Sequence, residues 1–238
     1  MLRAVPELRV DVLIPAYNEE ASLPLVLAAL RALPPGTVRR TVVADNNSQD
    51  ATAVVAEAGG AIVVPARRQG YGSACLAGLA WLRANDPPDI VVFLDADYSD
   101  HPEELPAVIA PILAGQADLV IGSRTLGQRE RGALLPQARA GNFVACKLIR
   151  TLYGHRYTDL GPFRAIRWRA LEQLQMRDPD FGWTAEMQVK ALRHRLAVTE
   201  VPVSYRKRVG VSKITGTLSG TVRAGYKILW TVFYHSAF

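Results

Sequence analysis

The stretch VVFLDADYSD, residues 91–100, decides the fold of this chain. Its first half, Val91 to Leu94, is an unbroken apolar run of the kind that fills a strand buried on both faces. It delivers two carboxylates, Asp95 and Asp97, with one small residue between them, then breaks into a polar turn before Pro102-Glu103-Glu104. Two like charges at the end of a buried strand either cap the next helix or hold something cationic between them. Capping accounts for Asp97, Ser99 or Asp100. It does not account for Asp95, tucked behind the apolar run.

Outward from that strand the pattern repeats. RVDVLIPAY, RRTVVADNN, GAIVVPA and ADLVIGSR read as further strands. They alternate with helices in EEASLPLVLAALRAL, in SQDATAVVAEAG opened by Ser48 and Asp50, in YGSACLAGLAWLRAN and in PEELPAVIAPILAG. Short apolar strands alternating with helices predict an α/β fold with a mostly parallel central sheet and helices on both faces. Ligands of such sheets bind at the carboxyl ends of the strands. Four polar clusters fall there: Tyr17-Asn18-Glu19, Asp45-Asn46-Asn47, Asp95-Ala96-Asp97 and Ser123-Arg124.

From about residue 125 the pattern changes. TLGQRERGALLPQARAGN reads as a loop leading into a helix at FVACKLIRTLYG, and RYTDLGPFRAIRW as a short polar stretch. Two helices, a strand at LAVTEVPVSY and a basic loop, RKRVGVSKITGT, follow. We expect one domain over residues 1–213 and a C-terminal basic, aromatic amphipathic helix over 214–238.

With 49% apolar and 21% charged residues, the chain has material for a sizeable core. No leader peptide is visible before Pro15, and no apolar stretch reaches the ~20 residues that span a bilayer. Cys75 and Cys146 have no metal spacing and read as reduced thiols, so a cytoplasmic protein is expected. The net charge of +6 is unevenly placed. Arg124, Arg129, Arg131, Arg139, Lys147 and Arg150 face one acid, Glu130, and the last 38 residues carry six cations and no acid. Such clusters suit an anionic partner or a solvated basic face. A nucleic acid is not expected, because the two-Asp site would repel its backbone and the basic loops lie beside Gly and Ser instead of aromatics.

Asp95 and Asp97 can converge on one hard cation, and Mg²⁺ prefers one or two carboxylates plus waters and substrate phosphates. Asp45 is placed to accept hydrogen bonds from a base or ribose. Arg67 and Arg68 precede Gly70-x-Gly72 at a helix start, where glycine permits close backbone approach to a ligand or simply makes a turn.

The ordered motifs VLIPAYNEEASL, VVADNNSQDAT, RRQGYGSACLAGL, VFLDADYSDHPEEL, DLVIGSR, DLGPFRAIR and RKRVGVSKITGT, over roughly residues 9 to 217, resemble family 2 glycosyltransferases. The resemblance is greatest to the dolichyl-phosphate mannose synthase and polyprenyl-phosphate hexosyltransferase branch. It implies a GT-A type nucleotide-sugar-binding fold, a divalent metal (Mg²⁺ or Mn²⁺) and inverting hexose transfer from a UDP-glucose or GDP-mannose type donor. It also implies that Pro15, Tyr17, Glu19 and Asp45 line the base and ribose pocket, with Arg68, Gly72, Arg208 and Lys213 also on the donor. Asp95 would sit by the ribose or diphosphate and share the metal with Asp97. Arg124 would face the sugar and the acceptor phosphate, and Asp159 and Glu186 would lie near the sugar. The chain departs from the family at Ser99, where the closest members carry Gln directly before His-Pro, and Asp100 intervenes before His101 here. It departs again at Asp45-Asn46, where paired acids are usual.

A hydroxyl acceptor needs a general base, whereas a phosphomonoester is already ionised at neutral pH. Family members acting on sugars often supply the base from a Glu-Asp pair; here FGWTAEMQ carries Glu186 alone. A polyprenyl or dolichyl phosphate is therefore the favoured acceptor, its phosphate cradled by Arg124, Arg129, Arg131 and Arg139. The alternative is a hydroxyl of a soluble or glycan acceptor with Glu186 or Asp159 as base. Tyr226, Trp230, Phe233 or Tyr234, and Phe238 fall at helical spacing with Arg223 and Lys227 beside them. That helix either lies peripherally on the cytoplasmic membrane face, packs on the domain, or pairs with a second copy in a homodimer.

Overall fold

The computed structural model describes residues 8–210 and 218–237, with side chains placed for 225–234 in the second span. The strands are β1 (Val10–Ala16), β2 (Arg40–Asp45), β3 (Ile62–Pro65), β4 (Ile90–Phe93), β5 (Leu119–Ser123), β6 (Arg164–Arg167) and β7 (Val198–Pro202). They form one sheet in the order β3-β2-β1-β4-β6-β5-β7. All neighbours run parallel except β6, which is antiparallel to both β4 and β5.

The helices are α1 (Leu23–Arg31), α2 (Thr52–Ala58), α3 (Tyr71–Ala84), α4 (Leu105–Leu113), α5 (Pro136–Tyr153), α6 (Trp168–Leu174), α7 (Trp183–Arg193) and α8 (Leu218–Ala237). Successive strand side chains point to opposite faces, which splits the core in two. Val12 and Ile14 pack with Leu23, Leu27, Val108 and Ile112 of α1 and α4. Leu13 packs on the other face with Leu82, Ile149, Met187 and Val232 of α3, α5, α7 and α8.

Two elements differ from the sequence expectation. β6 lies in the stretch read as merely polar: RAIR is four residues long and holds a cation, Arg164, with no exposure. That guanidinium is accommodated by carbonyls, donating to Leu160 at 3.2 Å, to Gly161 from Nε at 3.1 Å and to Thr184 at 3.1 Å. Burial lowers its pKa to about 10. The second difference is α5, which begins at Pro136 instead of Phe143. Proline fits a first helical turn, whose N–H groups have no intrahelical partner.

The direction of β6 matters for function. Parallel β1, β2, β4 and β5 all end at one edge of the sheet. Because β6 runs the other way, the segment entering it, Asp159 to Phe163, arrives at that same edge. The chain after β7 also leaves there.

Candidate active site

The ends of β1 and β2 are joined through their loops. Asn18 N–H donates to Ser48 Oγ at 3.0 Å, Gln49 N–H to Asn18 Oδ1 at 2.8 Å and Glu19 N–H to Thr52 Oγ1 at 2.7 Å. Asn18 and Asn47 take left-handed φ values of 52° and 66°, which asparagine tolerates. Pro15 is buried in β1, Tyr17 and Glu19 are half-buried, and Asp45 holds a buried oxygen, Oδ1, with no hydrogen-bond partner. Asn46 donates to the Arg68 carbonyl at 2.7 Å and accepts from Gly70 N–H at 2.7 Å, so it fixes the loop beside Asp45.

Gly72 has a different neighbour from the one expected. A Cβ there would stand 2.0 Å from the Asp178 carbonyl oxygen. Gly72 and Ser73 N–H groups donate to the carbonyls of Asp180 and Pro179 at 3.2 and 2.8 Å. The chain's own loop thus caps α3, and Arg68 pairs with Asp180 at 3.5 Å.

Asp95 and Asp97 stand where β4 ends. Asp97 is 3% exposed. Its Oδ1 accepts from Ser99 N–H at 2.9 Å and Oγ at 2.5 Å, and its Oδ2 contacts Arg208 Nη2. Ser99 is therefore committed to orienting Asp97. Asp95 Oδ1 is buried without a partner, beside the equally unpartnered Tyr71 hydroxyl. Burial raises the Asp95 pKa against the opposing pull of Arg208 and Arg124. Asp100 is buried with both oxygens unpartnered, and burial, reinforced by Asp95, pushes it up to about 8.

These two strand-end carboxylates fit a hard divalent cation: Asp95 offers an orphaned buried oxygen, and Asp97 already faces a cationic group. Among the described residues no three acidic, His or Cys side chains converge as a closed cage. That suits a cation completed by waters and substrate phosphate. Lys213 and Phe238 lie outside the described residues, as does the side chain of Arg223.

Arg124 follows β5. Its backbone N–H and Nε donate to Asp159 Oδ2, and Nη2 donates to Oδ1, each at 2.8 Å. Burial works against the guanidinium charge, and Asp159 overcomes it, so the Arg124 pKa rises. Asp159 is itself held by its backbone: its N–H donates to Glu200 Oε1 at 3.1 Å and its carbonyl accepts from Gln188 at 3.0 Å. Glu200, which carried no motif signal, also accepts from Thr158 N–H at 2.9 Å. Glu186 sits under the loop that caps α3. It accepts from Arg177 N–H at 3.0 Å, Asp178 N–H at 2.7 Å and Lys190 Nζ at 2.6 Å. Both acids considered as bases are thus engaged by cations and N–H groups.

Beside Arg124, a groove of about 680 Å³ runs between Thr125, Thr158 and α5. Arg129, Arg139, Lys147, Arg150 and Arg156 line it with no carboxylate, and Leu134, Pro136, Phe143 and Cys146 supply an apolar wall. Arg131 is exposed on the loop outside that lining. Lys147, Arg150 and Arg156 were not singled out as acceptor groups because nothing in sequence shows that α5 turns this face to the 156–158 segment.

The mixed seven-stranded sheet, with its acidic strand end and the basic loop after β7, is a GT-A-like α/β fold. Residues 11–175 match the family description "glycosyl transferase family 2", and the chain belongs to that enzyme family. It is 42% identical over 217 residues to an uncharacterized glycosyltransferase of Mycobacterium tuberculosis, covering 90% of this chain and 94% of that one. It is 30% identical to the undecaprenyl-phosphate mannosyltransferase of Micrococcus luteus, covering 90% of each. A crystal structure of glucosyl-3-phosphoglycerate synthase from M. tuberculosis, with Mn²⁺, UDP and glucosyl-3-phosphoglycerate, aligns with a TM-score of 0.77 at 25% identity. The alignment covers 97% of this chain and 81% of that one.

Proposed function

We propose that this chain transfers a hexose from a nucleotide sugar to a polyprenyl phosphate with inversion. The observation that carries the proposal is the groove beside Arg124, which pairs five cations and no acid with an apolar wall. An acceptor that joins a phosphate to a hydrocarbon chain uses both linings. A small phosphorylated acceptor such as phosphoglycerate uses only the first.

Tyr17, Glu19 and Asp45 take the base and ribose, and Asp95 and Asp97 are the residues that would hold Mg²⁺ or Mn²⁺. A divalent cation there neutralises charge that develops on the leaving diphosphate. Arg208 adds its guanidinium to the same oxygens; the same role is assigned to Lys213 from the motif alone. Arg124, fixed in direction by Asp159, holds the acceptor phosphate at the sugar. An acceptor phosphate oxygen forms a bond to the anomeric carbon while the bond from that carbon to the diphosphate breaks. The bonding pair leaves with the nucleoside diphosphate. No proton has to be removed, which agrees with Asp159 and Glu186 being engaged elsewhere.

Phe143 of the groove lining and its neighbour Val144 on α5 are 66% and 48% exposed. Tyr226, Trp230 and Tyr234 stack along α8 with centroids 6.5 and 6.4 Å apart. We assign these faces to a peripheral membrane contact. Among the described residues no helix is long and apolar enough to cross a membrane.

The test offers UDP-glucose and GDP-mannose with Mg²⁺ or Mn²⁺ to undecaprenyl phosphate and, separately, to 3-phosphoglycerate, with products identified by mass spectrometry. A β-linked sugar phosphate lipid from an α-linked donor is expected. A glycosylated phosphoglycerate with no lipid product would overturn the proposed acceptor.

A further inference from the structure

The loop after β7 is laid along the acidic strand end by its backbone. Val209 N–H donates to the Asp97 carbonyl at 3.0 Å, Arg206 N–H donates to the Ser99 carbonyl at 2.9 Å, and Tyr205 bridges Asp100 in antiparallel fashion. These contacts place Arg208 opposite Asp97 whatever its side chain does. The side chain then completes the pairing, with Nη2 on Asp97 Oδ2. The other Asp97 oxygen is taken by Ser99. Asp95, next to it, feels the same guanidinium.

A buried carboxylate left without a cation is costly, because it has lost its hydration without gaining a partner. Arg208, paired with Asp97, removes that cost. It does so at the one oxygen of Asp97 that Ser99 leaves open, which is the oxygen otherwise free to take a divalent cation. The proposed donor chemistry calls for Arg208 elsewhere, on the diphosphate.

We infer that Arg208 is an internal stand-in for the divalent cation: it occupies Asp97 while the site is empty and transfers to the donor diphosphate when metal and nucleotide arrive together. This rests on the donor reading given above. The metal and Arg208 then compete for Asp97, so the protein alone binds metal weakly, and a diphosphate strengthens metal binding by giving the guanidinium a second anion.

The test measures Mn²⁺ affinity of the full chain without nucleotide, by the electron paramagnetic resonance signal of free Mn²⁺. Arg208→Gln is expected to bind Mn²⁺ at least tenfold more tightly than the wild type. Arg208→Lys, which keeps a cation, is expected to stay within about threefold. Lys207→Gln, which removes a charge from the same loop without touching Asp97, is expected to leave the affinity unchanged. Arg208→Met serves if the glutamine variant does not fold. Unchanged or weaker Mn²⁺ binding in the neutral Arg208 variants would overturn the inference, as would equal tightening by Lys207→Gln. Mn²⁺ binding that survives Asp97→Asn would instead overturn the metal role of Asp97, and the donor reading with it.

Discussion

At the scale of single residues, four acids lie along the site edge of the sheet, and what stands opposite each one sets them apart. Asp97 faces Arg208, Asp159 clasps Arg124, and Asp95 keeps one orphaned oxygen. Asp100 is buried with both oxygens unpartnered and is pushed up to about 8 from the ordinary 3.8. A carboxyl whose pKa is raised by folding contributes its stability below the unfolded value and loses it as pH rises through the folded one. The nucleotide-free protein should therefore lose stability from this group between about pH 4 and pH 8. Asp100→Asn, neutral throughout, should match the wild type near pH 4 and exceed it at pH 8 by at least about 1 kcal/mol, since each unit of pKa shift is worth about 1.4. Urea unfolding at the two pH values checks this, and parallel curves would count against a buried neutral Asp100. Asp95, Asp97 and Arg124 were singled out from the strand-end motifs, Asp159 came only with the family resemblance, and Asp100 was read as a helix cap. The partners were not legible, because pairings such as Arg124 with Asp159 join residues 35 apart through a strand reversal that the sequence does not announce.

At the scale of elements, that reversal is β6, and it was hidden by its own composition. A four-residue strand flanked by arginines has neither the apolar run nor the alternation that marks a strand. The alternating strands and helices of the first half were plain because β1, β4 and β5 are buried along their whole length and β2 through its middle, which leaves apolar runs in the sequence. The start of α5 was obscured because Pro136 and Gly141 read as breakers, while the structure uses the first to open the helix. The Gly70–Gly72 turn is a third case: sequence could show that something approaches closely there, but not that it is residues 178–180. That loop is held in turn by Glu186 and by Lys227 of α8, which pairs with Asp178 at 3.0 Å. Gly72→Ala should accordingly destabilise the fold by about 1–3 kcal/mol, as overpacked sites do. Chemical denaturation measures it, and a neutral effect would mean that the loop can yield.

At the scale of the whole molecule, the charge asymmetry of the sequence becomes a division of labour. On the proposed function, the acidic strand ends take the donor and the basic residues of α5 and its flanks take the acceptor, with Arg124 between them. Which basic residues share the groove depends on how α5 lies against the sheet, so only Arg129 and Arg139 of its lining were named from sequence as acceptor groups. The central claim is that this groove receives the phosphate and first isoprene units of a lipid acceptor. The most direct measurement is the steady-state KM for undecaprenyl phosphate of the wild type and of Lys147→Glu/Arg150→Glu, with the donor KM measured alongside. The account predicts a lipid KM raised at least tenfold, about 1.4 kcal/mol, with the donor KM within twofold of the wild type. An unchanged lipid KM, or a change confined to the donor, would contradict it.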